Sequence, residues 1–208
     1  VQVLRAREVP LGGIRTMLVR RTLPHRDRSF IGAWCFADHY GPDDVHESGG
    51  MDVAPHPHSG LQTVSWLFEG EIEHRDSGGV VGLVRPGEVN LMTAGRGIAH
   101  SEVSTAATTV LHGVQLWVVL PSSAAEEARG FEHYAAPSLP LPGAAGTARV
   151  FIGSLAGVGD SPVETFTPLL GAQLDLAPGA RLTLTVDTAY EHGLLADVGE
   201  VTLDGEPI

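Results

Sequence analysis

Two short stretches, Pro55-His56-Pro57-His58-Ser59-Gly60 and Ala94-Gly95-Arg96-Gly97-Ile98-Ala99-His100-Ser101-Glu102, decide how this 208-residue chain is read. Each carries two metal-binding side chains two positions apart. In a strand, residues i and i+2 point to the same face, roughly 6.5 to 7 Å apart along the chain, so each pair aims two donors at one point. The residues between read as two or three short strands with turns at Asp76-Ser77-Gly78-Gly79 and Arg85-Pro86-Gly87. That is enough to fold the second pair back beside the first. The spacing predicts four converging ligands: His56, His58, His100 and Glu102.

Three imidazoles and one carboxylate suit a divalent first-row transition metal better than magnesium or calcium, which prefer oxygen shells. Iron, manganese, cobalt, nickel, copper and zinc all stay open on this ground. Four protein ligands on a six-coordinate metal leave two positions free, enough for a chelating substrate or for one substrate atom beside dioxygen or water. Glu102 is also read as a catalytic base, since a carboxylate that ligates in one state can accept a proton in another. If the strands carry no bulge, Gly60, Gln62, Val64 and Trp66 share the face of His56 and His58 and line a pocket, with Asn90 and Met92 beside them. His39 and His112 have no companion at ligand spacing and read as structural. His25, His46, His74, His133 and His192 read as solvated or hydrogen-bonded side chains with no role.

Helical periodicity is almost absent, and short alternating or β-branched segments broken by glycine and proline predict an all-β chain. The clearest strands are Val19–Arg21, Ile31–Phe36, Thr63–Glu69, Val80–Arg85, Val89–Thr93 and Val110–Leu120. A short helix is predicted from Ser123 to Gly130, with Glu126 completing a capping box. The proline-rich segment from Pro137 reads as a linker, which places a domain boundary around residues 121–147. The strand pattern then begins again. An offset of 129 sets Gly199-Glu200-Val201 on Gly70-Glu71-Ile72 and Thr185 and Asp187 on His56 and His58, so the second unit lacks the histidine pair. It stops partway, and residues past Ile208 are expected to complete it.

The net charge of −12 argues against direct binding to nucleic acid. All 13 basic residues are arginine. Arg15, Arg20, Arg21, Arg26 and Arg28 gather near the N-terminus and read as a solvated hairpin face. The single cysteine, Cys35, sits in an apolar run and reads as a buried inert thiol; one cysteine fits a reducing compartment. No run of eighteen apolar residues predicts a membrane span, and the first ten residues lack the pattern of a signal peptide. A cytoplasmic protein is expected, of a size and acidity compatible with a monomer.

Four segments resemble the pirin family of bicupins: His56-Pro-His-Ser-Gly-Leu-Gln-Thr-Val64, Glu69-Gly-Glu-Ile-Glu-His-Arg-Asp-Ser77, the run from Arg85 to Glu102, and His112-Gly-Val-Gln-Leu-Trp-Val-Val-Leu-Pro121. The likeness extends from about Phe30 to the end. Gln62 stands where cupins in general place a glutamate, and the carboxylate is supplied by Glu102, as in pirins. The resemblance implies two antiparallel jelly-roll barrels: a metal-binding cupin over residues 1–125, a short helix and linker over 126–147, and the start of a metal-free cupin over 148–208. It implies a single iron site, Fe(II), at His56, His58, His100 and Glu102. Some pirins open the central ring of quercetin with dioxygen and release carbon monoxide, so a flavonol and dioxygen are the implied substrates. Eukaryotic pirins that assist transcription factors imply the alternative, a non-enzymatic metal-containing regulator or redox sensor with a protein partner.

Overall fold

Short β-branched and aromatic runs punctuated by glycine leave little but strands for this chain to form. The computed structural model, which describes residues 1–11 and 17–208, is built almost wholly from them. Arg15 lies outside the described residues. In order come β1 (Arg7–Pro10), β2 (Leu18–Leu23), β3 (Trp34–Asp44), β4 (Asp52–His58), β5 (Leu61–Glu69) and β6 (Ile72–Asp76). They are followed by β7 (Val81–Val84), β8 (Glu88–Thr93), β9 (Ile98–Ser104), β10 (Val110–Val119) and β11 (Gly130–Ala135). These eleven form two sheets, one ordered β1-β2-β3-β10-β5-β8-β11 and one ordered β4-β9-β6-β7. Side chains of the two sheets meet between them: His58 of β4 lies edge-on to Trp117 of β10, and His74 of β6 lies 4.8 Å from the ring of Phe131 on β11.

The turns follow the sequence closely. Asp76 Oδ1 accepts the Gly78 and Val80 amides at 2.7 and 3.1 Å and closes the β6–β7 hairpin. Gly87, at φ 80°, supplies the left-handed residue between β7 and β8. The α-helix α1 is one turn, Val45–Ser48, capped by the Asp44 carboxylate on the His46 amide at 2.8 Å and stopped by Gly49 at φ 84°.

The helix predicted from Ser123 to Gly130 is absent. Ala124 and Glu127 amides bond to carbonyls three residues back, Pro121 and Ala124, and the chain continues as turns. So short a segment burying only Ala124 has too little apolar face to offset the cost of nucleation. The next residues become β11, the edge strand of the large sheet against β8. The proline-rich segment is equally ordered. It holds β12 (Leu139–Pro140) and a 3₁₀ turn, and it buries Leu141 and Ala145.

From there a second unit forms from β13 (Gly146–Leu155), β14 (Gly159–Asp160) and β15 (Leu170–Leu176), with β12 and β15 both pairing β13. Its own core joins Leu141, Ala148, Val150 and Leu155. Residues 177–201 carry no strand, and β16 (Thr202–Leu203) pairs β17 (Glu206–Pro207) in a small hairpin.

Two contacts tie the last segment back to the first strands. Glu191 accepts from Arg28 Nη1 at 3.0 Å and from the Gly32 amide at 2.8 Å, and Asp197 meets His39 and His112. Arg21 is not part of a solvated face: its guanidinium makes two 2.7 Å bonds to the fully buried carboxylate of Asp38 and lies 4.4 Å over the Phe36 ring. Cys35 Sγ contacts the Trp117 carbonyl at 3.5 Å, and burial pushes its thiol pKa up.

The core that joins the units runs along the outer face of the large sheet. Val64, Trp66, Val89, Leu91, Val114 and Val118 pack there with Phe151, Ile152 and Val163. Trp66 stacks on Phe151 at 4.5 Å between centroids and donates Nε1–H to Gln173 Oε1 at 2.8 Å. Because both faces of β5 are covered, Gln62 through Leu67 are all buried and polar and apolar residues no longer report inside and outside. Phe151→Ala should therefore destabilise the protein by about 3–5 kcal/mol, the range for deleting a buried aromatic ring. Urea unfolding followed by circular dichroism measures this, and the loss should appear in one shared transition of both units.

Candidate metal centre

Strand β9 is the centre of the site because it lies between β4 and β6. Its register sets His100 opposite His56 on one side and opposite Asp76 on the other. Glu102 stands opposite Val53 and His74 in the same way. One detail of β4 makes this work. Between Val53 and His56 the strand carries an extra residue relative to β9, a bulge that re-aims the side chains beyond it. Val53 packs toward the core of the first unit, and without the bulge the inward face would continue to Pro55. With it, His56 and then His58 turn inward to face His100.

The three imidazoles converge. His56, His58 and His100 place ligating nitrogens within 4.8 Å of one another, and the rings lie 4.5 to 5.0 Å apart by centroid. His56 Nδ1–H donates to the Ala54 carbonyl at 2.9 Å, which leaves its Nε2 lone pair free. His58 Nε2 and His100 Nε2 are 3.1 Å apart. Two such nitrogens hold that distance only with a proton or a cation between them, so the donor set fits a metal ion by its own chemistry.

Glu102 falls in a second group, with His74 and His100, whose ligating atoms also lie within 4.8 Å. It is 6% exposed and accepts from Ser65 Oγ at 2.8 Å. Ser65 Oγ is also 2.9 Å from the Gln115 amide oxygen position. One hydroxyl proton cannot serve both; the carboxylate is the stronger acceptor, and the amide then turns its NH₂ toward the serine oxygen.

The pocket residues read from alternation divide. The chain turns at Ser59-Gly60, with Gly60 at φ 68°, and the face count restarts in β5. Gln62, Val64 and Trp66 therefore point away from the histidines, Val64 and Trp66 into the joining core and Gln62 onto Thr93 Oγ1 and the Glu164 carbonyl. Thr63 and Ser65 take the inward face instead. Asn90 and Met92, paired with Ser65 and Thr63, share it. Met92 packs with Ile98 and Phe131, and Asn90 Oδ1 contacts His133 Nδ1 at 2.7 Å. A cleft of about 410 Å³ opens at the His58 end of the β4–β9 pair, where Ser59, Ser77, Arg96 and Ile98 join that histidine.

Sequence reasoning left His74 without a role. It is 3% exposed, its Nδ1 lies 3.3 Å from His100 Nδ1, and its Nε2 lies 3.3 Å from Asp76 Oδ2. The signal was present as His74-Arg75-Asp76, a third pair of chemistry-bearing residues at same-face spacing.

Another convergence lies elsewhere. His39 Nε2 and His112 Nε2, 3.3 Å apart, reach Asp197 Oδ1 at 2.7 and 2.8 Å. Arg20 Nη2 stands 3.1 and 3.3 Å from the two His39 nitrogens, so a guanidinium already faces the place a cation would take. This cluster acts as a clamp between β3, β10 and the segment around Asp197.

The sequence model of the Pirin family matches residues 15–118. A candidate quercetin 2,3-dioxygenase of Pseudomonas aeruginosa is 45% identical over 207 residues, covering 99% of this chain and 64% of that protein. A pirin-like protein of Caulobacter vibrioides is 37% identical over 213 residues, covering 99% of this chain and 72% of that protein. The crystal structure of a quercetin 2,3-dioxygenase from Acinetobacter baumannii matches with a TM-score of 0.76 and 41% identity, over 82% of this chain and 56% of that one. The chain thus spans a little under two thirds of the first of these relatives.

Burial first, then the neighbouring His100 and His56, lowers the pKa of His58 from 6.5 to about 4. Burial first, then His56 and His74, lowers that of His100 from 6.5 to about 3. Below pH 6.5 the unfolded chain takes up protons that the folded chain refuses, so folding stability is complete above that pH and falls as pH drops toward these values. The melting temperature of the metal-free protein should decrease steadily from pH 7 to pH 5. In His58→Gln, which removes one of these groups, the decrease should be shallower, as thermal melts across that range would show.

Proposed function

The chain belongs to the pirin family, and on that premise we propose that it is a metal-dependent dioxygenase acting on flavonols such as quercetin at a mononuclear centre of three histidines and one glutamate. The observation that carries the reading is the convergence of the ligating nitrogens of His56, His58 and His100, with the buried Glu102 carboxylate two residues beyond His100 on the same strand. Names of relatives support the reaction class: the Pseudomonas aeruginosa and Acinetobacter baumannii proteins are both described as quercetin 2,3-dioxygenases, the first as a candidate.

In this reading His56, His58, His100 and Glu102 hold a divalent transition metal, Fe(II) by family resemblance, which when bound supplies Lewis-acid and redox chemistry toward a flavonol anion and dioxygen. Glu102 is the group placed to take the flavonol hydroxyl proton, and the hydrogen bond from Ser65 fixes the carboxylate for that transfer. The cleft beside His58 has the volume of a site for a small aromatic molecule. Trp117, edge-on to His58 and stacked on Phe36 at 4.0 Å, holds that ring in place. The strands through β11 then form the metal-binding cupin, and those from β12 onward belong to a second, metal-free one.

Anaerobic reconstitution with iron, manganese, cobalt, nickel or copper, followed by quercetin in air, tests the proposal. Loss of the flavonol absorption band together with carbon monoxide release is expected only with metal. The rate should drop at least about 100-fold in His58→Ala and in Glu102→Ala, the scale on which a ligand or base is missed. Full metal occupancy without turnover for any of these ions would overturn the dioxygenase reading and favour a regulatory protein.

A further inference from the structure

We infer that His74 and Asp76 are positioning residues that fix the ring nitrogen His100 offers to the centre, an inference that rests on the metal-site reading above. The three side chains form a line through the interior of the small sheet. Asp76 Oδ2 lies 3.3 Å from His74 Nε2, and His74 Nδ1 lies 3.3 Å from His100 Nδ1. His100 Nε2, at the far side of its ring, faces His58 Nε2 at 3.1 Å. All three are shut from solvent: His74 is 3% and His100 2% exposed, and the Asp76 side chain is 1% exposed.

With His74 neutral and Asp76 ionised, proton counting leaves one arrangement in which each group is satisfied. Asp76 is anchored from behind by the Gly78 and Val80 amides on Oδ1, so its other oxygen accepts from His74 Nε2–H. A neutral His74 protonated at Nε2 has only a lone pair at Nδ1. The Nδ1–Nδ1 contact can therefore be a hydrogen bond only if His100 carries its proton on Nδ1. That leaves the His100 Nε2 lone pair free, aimed at the point on which His56 and His58 converge. The β6–β9 register, which pairs Asp76 with His100 and His74 with Glu102, holds this line on a rigid ladder rather than on a loop. A ligating histidine whose other nitrogen is held in this way gains both orientation and basicity.

The test compares the full chain with His74→Asn, whose side-chain oxygen can accept where Nδ1 did, and His74→Leu, which fills the space beside Phe131 but cannot accept. Two readouts are taken. In the metal-free proteins, ¹⁵N shifts of the His100 ring report which nitrogen holds the proton. Competition of Co(II) with a chromophoric chelator gives the dissociation constant, and the Co(II) absorption spectrum reports the ligand set. The expected result is a proton on Nδ1 in the parent and in His74→Asn, and its partial transfer to Nε2 in His74→Leu. Co(II) affinity should fall 10- to 100-fold in His74→Leu, the usual effect of losing such a partner, and stay close to that of the parent in His74→Asn, with one Co(II) spectrum throughout. A parent His100 protonated on Nε2, an unchanged affinity in a folded His74→Leu, or a changed Co(II) spectrum there, which would make His74 a ligand, would each overturn the inference. Absence of Co(II) binding to the parent would instead remove the metal-site reading, and the ¹⁵N measurement would still decide the role of His74.

Discussion

Everything at the candidate centre depends on the register of β9 between β4 and β6. A slip of one residue in an antiparallel ladder turns every side chain to the other face, and here it would carry His100 and Glu102 out together. The register is pinned at one end, where the Gly60 amide bonds to the Gly95 carbonyl at 2.8 Å and the Ala94 amide to the Leu61 carbonyl at 2.9 Å. Gly95 also lets the chain pass the Glu127 carbonyl: at φ 50° an added Cβ would come within 2.0 Å of that oxygen. At the other end Ser104 N bonds to the Met51 carbonyl. The bulge in β4 is the remaining adjustment, since it brings histidines at even positions onto a face that begins at Val53.

The two histidine-bearing pairs were legible because they obey the simplest rule a strand has, a period of two. The same rule misplaced Gln62, Val64 and Trp66, because a period holds only within one strand and the turn at Ser59-Gly60 ends it. Inside β5, composition could not restore the count. The strand is covered by the small sheet on one side and by Phe151, Ile152 and Val163 on the other, so Thr63 and Ser65 are as buried as Val64 and Trp66. Only long-range packing shows that Ser65, rather than its neighbours, reaches Glu102. His74 was hidden for a different reason. Its partners, Asp76 in the next position of its own face and His100 on the paired strand, acquire meaning only once β6 is known to lie beside β9.

The stretch after β10 shows the limit of local signals. A capping-box pattern at Ser123 and Glu126 is a helix start only if a helix comes after it that can bury a stripe, and here tertiary demand wins: the chain is needed as β11 at the edge of the large sheet. The last segment is placed by polar contacts more than by apolar burial. Glu191 on Arg28 and Asp197 on His39 and His112 are separated contacts on a segment whose residues are mostly exposed. Such contacts specify where the segment lies while adding modestly to stability, which leaves it prone to local opening.

Charge balance inside the small sheet gives the metal reading its strongest physical support. The chain is acidic overall, with 25 acidic residues against 13 arginines, yet a buried carboxylate must be compensated wherever it sits. Asp38 is matched by Arg21 through two hydrogen bonds. Glu102 and Asp76 have no arginine within ion-pair distance among the described residues: one rests on a serine hydroxyl, the other on two backbone amides and an imidazole. Two of the histidines nearby resist protonation, since burial and neighbouring imidazoles lower the pKa of His58 to about 4 and that of His100 to about 3. A cluster with two buried acids, no arginine and two imidazoles whose pKa values are lowered this far is short of positive charge, while offering nitrogen lone pairs at one point and a carboxylate oxygen close by. A divalent cation supplies that charge and uses those lone pairs at once, which neither a proton nor an arginine side chain does.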